Sequence, residues 1–200
     1  MDEKQRQRII DKHRDSLTRY GYSPHALYWS SREIQEIRFQ ALAEVGIEAG
    51  DSVLDVGCGF GDFKAWSEAQ GRALDYTGID LSPDLLAEAK KHHSDGEFFA
   101  GDLFDMTFAD QGFDWVVLSG ALNEQLHDAG AYARRVIERM YVLCRKGVAF
   151  NLLDARHRKA HDLQSYLPDK MLNWCHHLCP NCTLRDDYLD NDFTIYMHRS

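Results

Sequence analysis

The 200-residue chain carries few of the features that mark exported, membrane-embedded or nucleic-acid-binding proteins. No apolar run approaches the ~20 residues needed to cross a bilayer. Residues 1–15 mix both charge signs and lack the apolar core of a secretory signal, so a cytoplasmic protein with no membrane association is expected. Five cysteines, an odd number, imply reduced thiols rather than a disulfide framework. Basic residues are in deficit, 23 against 32 acidic, and the net charge of −9 opposes a phosphate backbone. The densest basic stretches do not reverse this. Residues 4–14 are interleaved with Asp2, Glu3, Asp11 and Asp15 and read as a solvated helical face. Residues 156–159 are short, and Arg156 and Arg158 could touch at most a single anionic group. Nucleic acid is therefore not an expected partner. With only four prolines, no linker composition and no repeat, one domain is expected, long enough to bury a core.

Metal-ligand residue types are present, but their arrangement is unsuitable. The run Cys175-His176-His177-Leu178-Cys179-Pro180-Asn181-Cys182 lacks a second paired C-x-x-C. Cys175 and Cys179 share a helical face with Leu172, which predicts buried thiols. The adjacent histidines 92–93 and 176–177 would point about 100° apart on a helix, poor geometry for chelation. No metal is expected.

What the chain does have is alternation. Residues 4–19 and 31–45 read as helices, the second with Ile34, Ile37, Leu42 and Val45 at helical spacing and Ser30 or Ser31 as N-cap. Short apolar strands are expected at 52–56, 76–80, 97–100, 113–119 and 147–153. Helices are expected at 62–70, 84–93 (behind the Ser82-Pro83 start), 129–144 and, for the most part, 160–179. Two closing strands, 183–189 and 193–198, would be joined by a hairpin turn at 190–192. Strands separated by helices imply an α/β fold: a doubly wound, mostly parallel seven-stranded sheet with helices on both faces and a C-terminal antiparallel hairpin strand. Ligands in such sheets bind beyond the strand C-termini, at the switch point.

The chemistry concentrates in Asp55-Val56-Gly57-Cys58-Gly59-Phe60-Gly61. Glycines let the chain turn out of a strand and let a nucleotide approach the backbone. The spacing is G-x-G-x-G, and no Lys-Ser/Thr follows to form a phosphate-binding loop. Asp55 would oppose a pyrophosphate but suits a ligand bearing an ammonium group. Asp80 ends the next strand, where an acid can accept bonds from both ribose hydroxyls.

Together these residues resemble the class I, Rossmann-like S-adenosylmethionine-dependent methyltransferases, over roughly residues 50–155. The resemblance implies S-adenosyl-L-methionine as cofactor, with Asp55 near the methionine ammonium. Gly57, Cys58, Gly59 and Gly61 would form the loop that shapes the pocket floor, and Asp80 would hold the ribose. In Ala100-Gly101-Asp102-Leu103, Asp102 is similar to the acid that bonds the adenine amino group, and Leu81 and Leu103 would sandwich the ring. Ser119-Gly120-Ala121 matches the segment whose backbone nears the methionine portion. A nicotinamide-dependent dehydrogenase is the rival reading; Asp55 and the glycine spacing weigh against it.

The methyl acceptor is less visible, because displacement at a sulfonium needs mainly proximity and orientation. The Asn/Asp-Pro-Pro-aromatic signature of amino-methylases that act on bases or protein amides is absent. After the fourth strand, Asn123, Glu124 or His127 could orient an acceptor or take a proton, or else cap the helix starting near Asp128. Asn151, polar within an apolar strand, either bonds a neighbouring loop or faces the site. Residues 1–48 are expected to form a lid over the core at 49–155, followed by a C-terminal helix and hairpin at 156–200. Tyr20, Tyr22, Tyr28 and Trp29 form an aromatic cluster there, suited to a sulfonium or an acceptor ring, and Arg38 could meet the methionine carboxylate. The reading is methyl transfer to a small-molecule O, N or S nucleophile; an RNA or protein methyltransferase, or a silent cofactor-binding domain, are the alternatives.

Overall fold

A computed structural model of the chain describes residues 1–157 and 162–199. Seven strands form one sheet in the order β3-β2-β1-β4-β5-β7-β6: β1 Ser52–Val56, β2 Asp75–Asp80, β3 Glu97–Ala100, β4 Phe113–Ser119, β5 Cys144–Leu153, β6 Cys182–Arg185 and β7 Asp192–His198. The first five pair in parallel, while β7 runs antiparallel between β5 and β6. The strand order reverses between β1 and β4. The crevice above that point is where the fold predisposes a ligand to bind.

Alternation along each strand sorts side chains onto two faces. Val116 and Leu118 of β4, with Leu54 of β1 and Val148 and Phe150 of β5, pack under α5 (Ala131–Leu143) and α6 (Pro168–Cys175). Trp115 and Val117, with Val53, pack under α2 (Arg32–Ala43) and α3 (Asp62–Ala69), meeting Phe39, Leu42, Phe63 and Trp66. Helix α4 (Pro83–His92) adds Leu86 and Ala89 to this second layer. Ser82 caps α4 and Ser31 caps α2, each accepting a backbone N–H two residues into its helix.

β7 is also bound to α2 across the second face. The Tyr196 hydroxyl donates to the Ala41 carbonyl at 2.6 Å, and the His198 ring meets the Val45 carbonyl at 2.9 Å.

Helix α1 (Glu3–Tyr20) contributes few apolar contacts, with only Ile9 and Ser16 buried. It lies across the strand C-termini and is attached largely by polar bonds. Arg6 forks onto Asp105 (2.7 and 3.3 Å), and Arg14 pairs with Asp84 at 2.9 Å. Gln5 and Arg8 donate to the carbonyls of Leu126 and Gln125, and Lys12 pairs with Glu124. The basic stretch expected to be a solvated face is thus partly a docking face onto the first turn of α4 and the loops after β3 and β4.

Two sequence expectations fail in the C-terminal quarter. Of the stretch 160–179 expected to be mainly helix, 160–161 lie outside the described residues, and among the rest the α-helix is confined to Pro168–Cys175. Residues 162–166 instead bridge two loops: Gln164 N–H donates to Asn123 O at 2.8 Å and Tyr166 N–H to Leu153 O at 2.9 Å. Long-range partners occupy these backbone groups in place of a helical ladder. The hairpin is also shorter than expected, since β6 ends at Arg185 and a longer connection runs to β7. No helix among the described residues is long and apolar enough to cross a membrane.

Candidate functional site

A cavity of about 880 Å³ opens at the C-terminal ends of β1, β2 and β4, roofed by α1. Its floor is the turn leaving β1. Gly57 and Gly59 hold φ angles of +76° and +55°, the left-handed region that disfavours side chains. A Cβ on Gly57 would stand 2.3 Å from that of Ala121, so the two loops meet at a distance only glycine permits. Cys58 and Gly59 line the same floor. Gly61 does not. It starts α3, and a Cβ there would press on Phe98 and His93. Its role is helix packing, a correction to its expected place in the pocket.

Three carboxylates from the ends of successive parallel strands face this cavity. Asp55 is buried and accepts the Tyr76 hydroxyl at 2.6 Å. Loss of water raises its pKa to about 7, against the pull of the tyrosine bond and with the Asp80 charge adding to the rise. Asp80 accepts the Gly59 N–H at 2.9 Å and the Ser82 N–H at 2.8 Å, which fixes the carboxylate against the glycine turn. Each oxygen retains a further lone pair. Asp102 is buried; its Oδ1 caps the Phe104 N–H and its Oδ2 accepts the Tyr132 hydroxyl at 2.9 Å. Leu81, Gly101 and Leu103 line the wall beside these acids, and Ser119 and Gly120 lie opposite. Tyr132 and Arg6, the latter 3.7 Å from Asp102, were not foreseen. They reach Asp102 from α5 and α1, and no local sequence signal links such distant positions.

Arg38 is 2% exposed and lines the cavity. Its guanidinium pairs with Asp192 at 2.8 Å and lies 4.7 Å from the Trp29 ring centroid, leaving Nε and Nη2 buried without a hydrogen-bond partner among the described residues. Trp29 in turn abuts Gly120. Tyr20 and Tyr28 line the roof, whereas Tyr22 turns away to stack on His92 at 3.9 Å and bond Asp62. The expected aromatic cluster is therefore split.

The proposed acceptor residues separate in the same way. Asn123 and Glu124 line the cavity. His127 is exposed and outside it, on a tight turn at φ +56°. Asn151 is fully buried between strands, accepting the Ser119 hydroxyl at 2.8 Å and donating to Thr194 at 2.7 Å. It satisfies a neighbouring strand and does not face the site. Arg156 pairs with Asp154 and Asp186 on the surface, and Arg158 lies outside the described residues. Cys175, Cys179 and Cys182 are buried, the Cys182 thiol donating to the Cys179 carbonyl. His13 of α1, which lines the roof, is a further residue that the sequence did not point to.

Glycine backbone beneath and three carboxylates around form an acceptor-rich wall. It suits a ligand presenting an ammonium, vicinal hydroxyls and an amine, and it would repel a pyrophosphate. The unpartnered guanidinium nitrogens of Arg38 offer a place for a carboxylate.

Comparison with known proteins agrees with this chemistry. The family model described as "Methyltransferase domain" matches residues 53–147. The candidate methyltransferase Rv1506c of Mycobacterium tuberculosis is 27% identical over 157 residues, covering 74% of this chain and 93% of its own length. Demethylmenaquinone methyltransferase of Staphylococcus aureus is 34% identical over 89 residues; the match spans 42% of this chain and 37% of that enzyme. An S-adenosylmethionine-dependent methyltransferase of Mesorhizobium loti superposes with a TM-score of 0.60 at 16% identity, over 82% of this chain and 98% of its own, which shows a shared fold.

Proposed function

Since the chain belongs to the class I S-adenosylmethionine-dependent methyltransferases, enzymes that use S-adenosyl-L-methionine, we propose that it methylates a small molecule held in the cavity beneath α1. Asp55, Asp80 and Asp102 converging on one cavity with Gly57 and Gly59 is the observation that carries the donor site. In this reading Asp55 meets the ammonium, Arg38 the carboxylate, Asp80 the ribose hydroxyls and Asp102 the adenine amine. Leu81 and Leu103 flank the ring. When bound, the donor supplies an electrophilic methyl group on a cationic sulfur.

The small-molecule preference rests on enclosure. The cavity lies toward the upper end of the ~300–1,000 Å³ usual for small-ligand pockets. Its roof is lined by α1 and by residues 162–164 and 166, which restrict the approach of a folded macromolecule. The staphylococcal relative, whose name gives demethylmenaquinone as its substrate, supports the same class of acceptor. In this reading α1 and the turn after it serve as the lid.

Calorimetric titration tests the donor site: S-adenosylmethionine or S-adenosylhomocysteine should bind, and NADH should not. Tight NADH binding with no response to S-adenosylmethionine would overturn the reading. Radiolabelled methyl transfer to extracted small metabolites tests the acceptor class, and label entering only RNA or protein would refute it.

A further inference from the structure

Resting on the donor site above, we propose that His13 takes the acceptor's proton and that the acceptor is an aryl hydroxyl, a neutral ring-bearing O–H compound. His13 projects from α1 into the cavity roof, and its Nδ1 is buried without a hydrogen-bond partner among the described residues. The Asn123 side-chain oxygen, also lining the cavity, is buried and unpartnered too. Two buried polar positions without partners, both on side chains that line one cavity, call for a ligand that donates. The described aromatic and apolar lining (Tyr28, Trp29, Leu126, Leu163 and Tyr166) suits a ring.

The charges around the cavity favour a neutral donor over an ionic one. Glu124 is paired with Lys12, and Asp192 with Arg38. Asp128 accepts the N–H groups of Gly130 and Tyr132. These three carboxylates are thus already matched, and Asp162 at the rim is exposed to water, which leaves little buried charge to attract a cationic amine. A neutral imidazole in the roof of the cavity has an evident use only if the nucleophile must lose a proton.

The step balances. The aryl oxygen forms a bond to the methyl carbon while the carbon–sulfur bond breaks and its electron pair stays on sulfur. The hydroxyl proton passes to His13, yielding a methyl ether, a neutral thioether and an imidazolium. The groups facing the ring are Asp80 at the end of β2, Glu124 after β4, Lys12 on its own helix and the Tyr28 ring, 5.6 Å away edge-on. Burial and Lys12 lower the pKa of His13, Asp80 and Glu124 counter them, and burial dominates. The ring is therefore neutral at neutral pH, the form that accepts a proton.

The test uses the full chain saturated with S-adenosylhomocysteine and 4-nitrophenol as the probe, whose phenolate is read by its visible absorbance. The wild-type complex should bind the probe as phenolate at a pH where the free compound is still protonated. His13→Asn and His13→Gln should bind it at least tenfold more weakly and without the phenolate signature, while S-adenosylhomocysteine affinity and circular dichroism stay as in wild type. With S-adenosylmethionine in place of the product, only wild type should form 4-nitroanisole at an appreciable rate. An unchanged phenolate spectrum in both variants, no probe binding to the wild-type complex, or preferential binding of benzylammonium would each overturn the proposal. Failure to bind S-adenosylhomocysteine at all would instead sink the donor-site reading on which it rests.

Discussion

At Gly57 a substitution meets two obstacles at once. Alanine would have to adopt φ +76° and would place its Cβ 2.3 Å from that of Ala121. The conformational cost alone is about 1–2 kcal/mol, and relieving the overlap must move a loop that lines the cavity. Gly57→Ala should weaken S-adenosylhomocysteine binding by at least tenfold, measured by calorimetry. Asp55 gives a prediction in pH. Its pKa in the folded chain, about 7, stands above the ordinary 3.8. Between those values the folded chain holds a proton that the unfolded chain has lost, so this group's contribution to stability falls as pH rises through that window and then levels off. A bound ammonium favours the ionised form, so ligand affinity should climb as pH rises through about 7. Asp55→Asn should flatten both trends; melting temperature against pH and calorimetry in buffers of differing ionisation enthalpy measure them.

Helix α1 is held by side chains that remain partly in water: Arg6, Lys12 and Arg14 are 25%, 35% and 51% exposed. Such pairs contribute roughly 0.2–1 kcal/mol each and weaken with salt. Helix α1 should therefore loosen while the sheet stays folded. Stopped-flow dissociation of S-adenosylhomocysteine should accelerate several-fold between low and high sodium chloride, and Arg6→Ala should accelerate it at low salt. Deleting residues 1–30 should impair ligand retention more than folding. Elements with strong local signals were legible from sequence: β1 to β4, α3 and α4 fall within about two residues of expectation, because apolar strands, caps and glycine turns act locally. The stretch 160–179 was misread, since contacts with the loops after β4 and β5 outweighed its helical pattern. The donor site was readable because its acids sit at strand ends beside a contiguous motif. His13, Tyr132 and Asp192 were not, because only the folded chain brings them to the cavity. Asn151 shows the ambiguity of a polar residue in an apolar strand: it faces either the site or another strand, and here Thr194 claims it.

Over the whole molecule, all five thiols are buried. Burial pushes Cys182 up to about 12 and raises Cys58, Cys144 and Cys175 as well. Reaction with an aromatic disulfide reagent should be negligible in the native protein and should release five equivalents after unfolding. The ties between α2 and β7 carry a different consequence, for synthesis on the ribosome. A nascent chain exposed as far as β5 already contains the glycine turn and the three strand-end carboxylates. Yet its Arg38 has no Asp192 opposite, and the Ala41 and Val45 carbonyls still await Tyr196 and His198. The wall that would receive the ligand's carboxylate is completed only when β7 slides in between β5 and β6. Competence to bind the donor should therefore appear only once β7 has emerged, well after the motif that first reveals it.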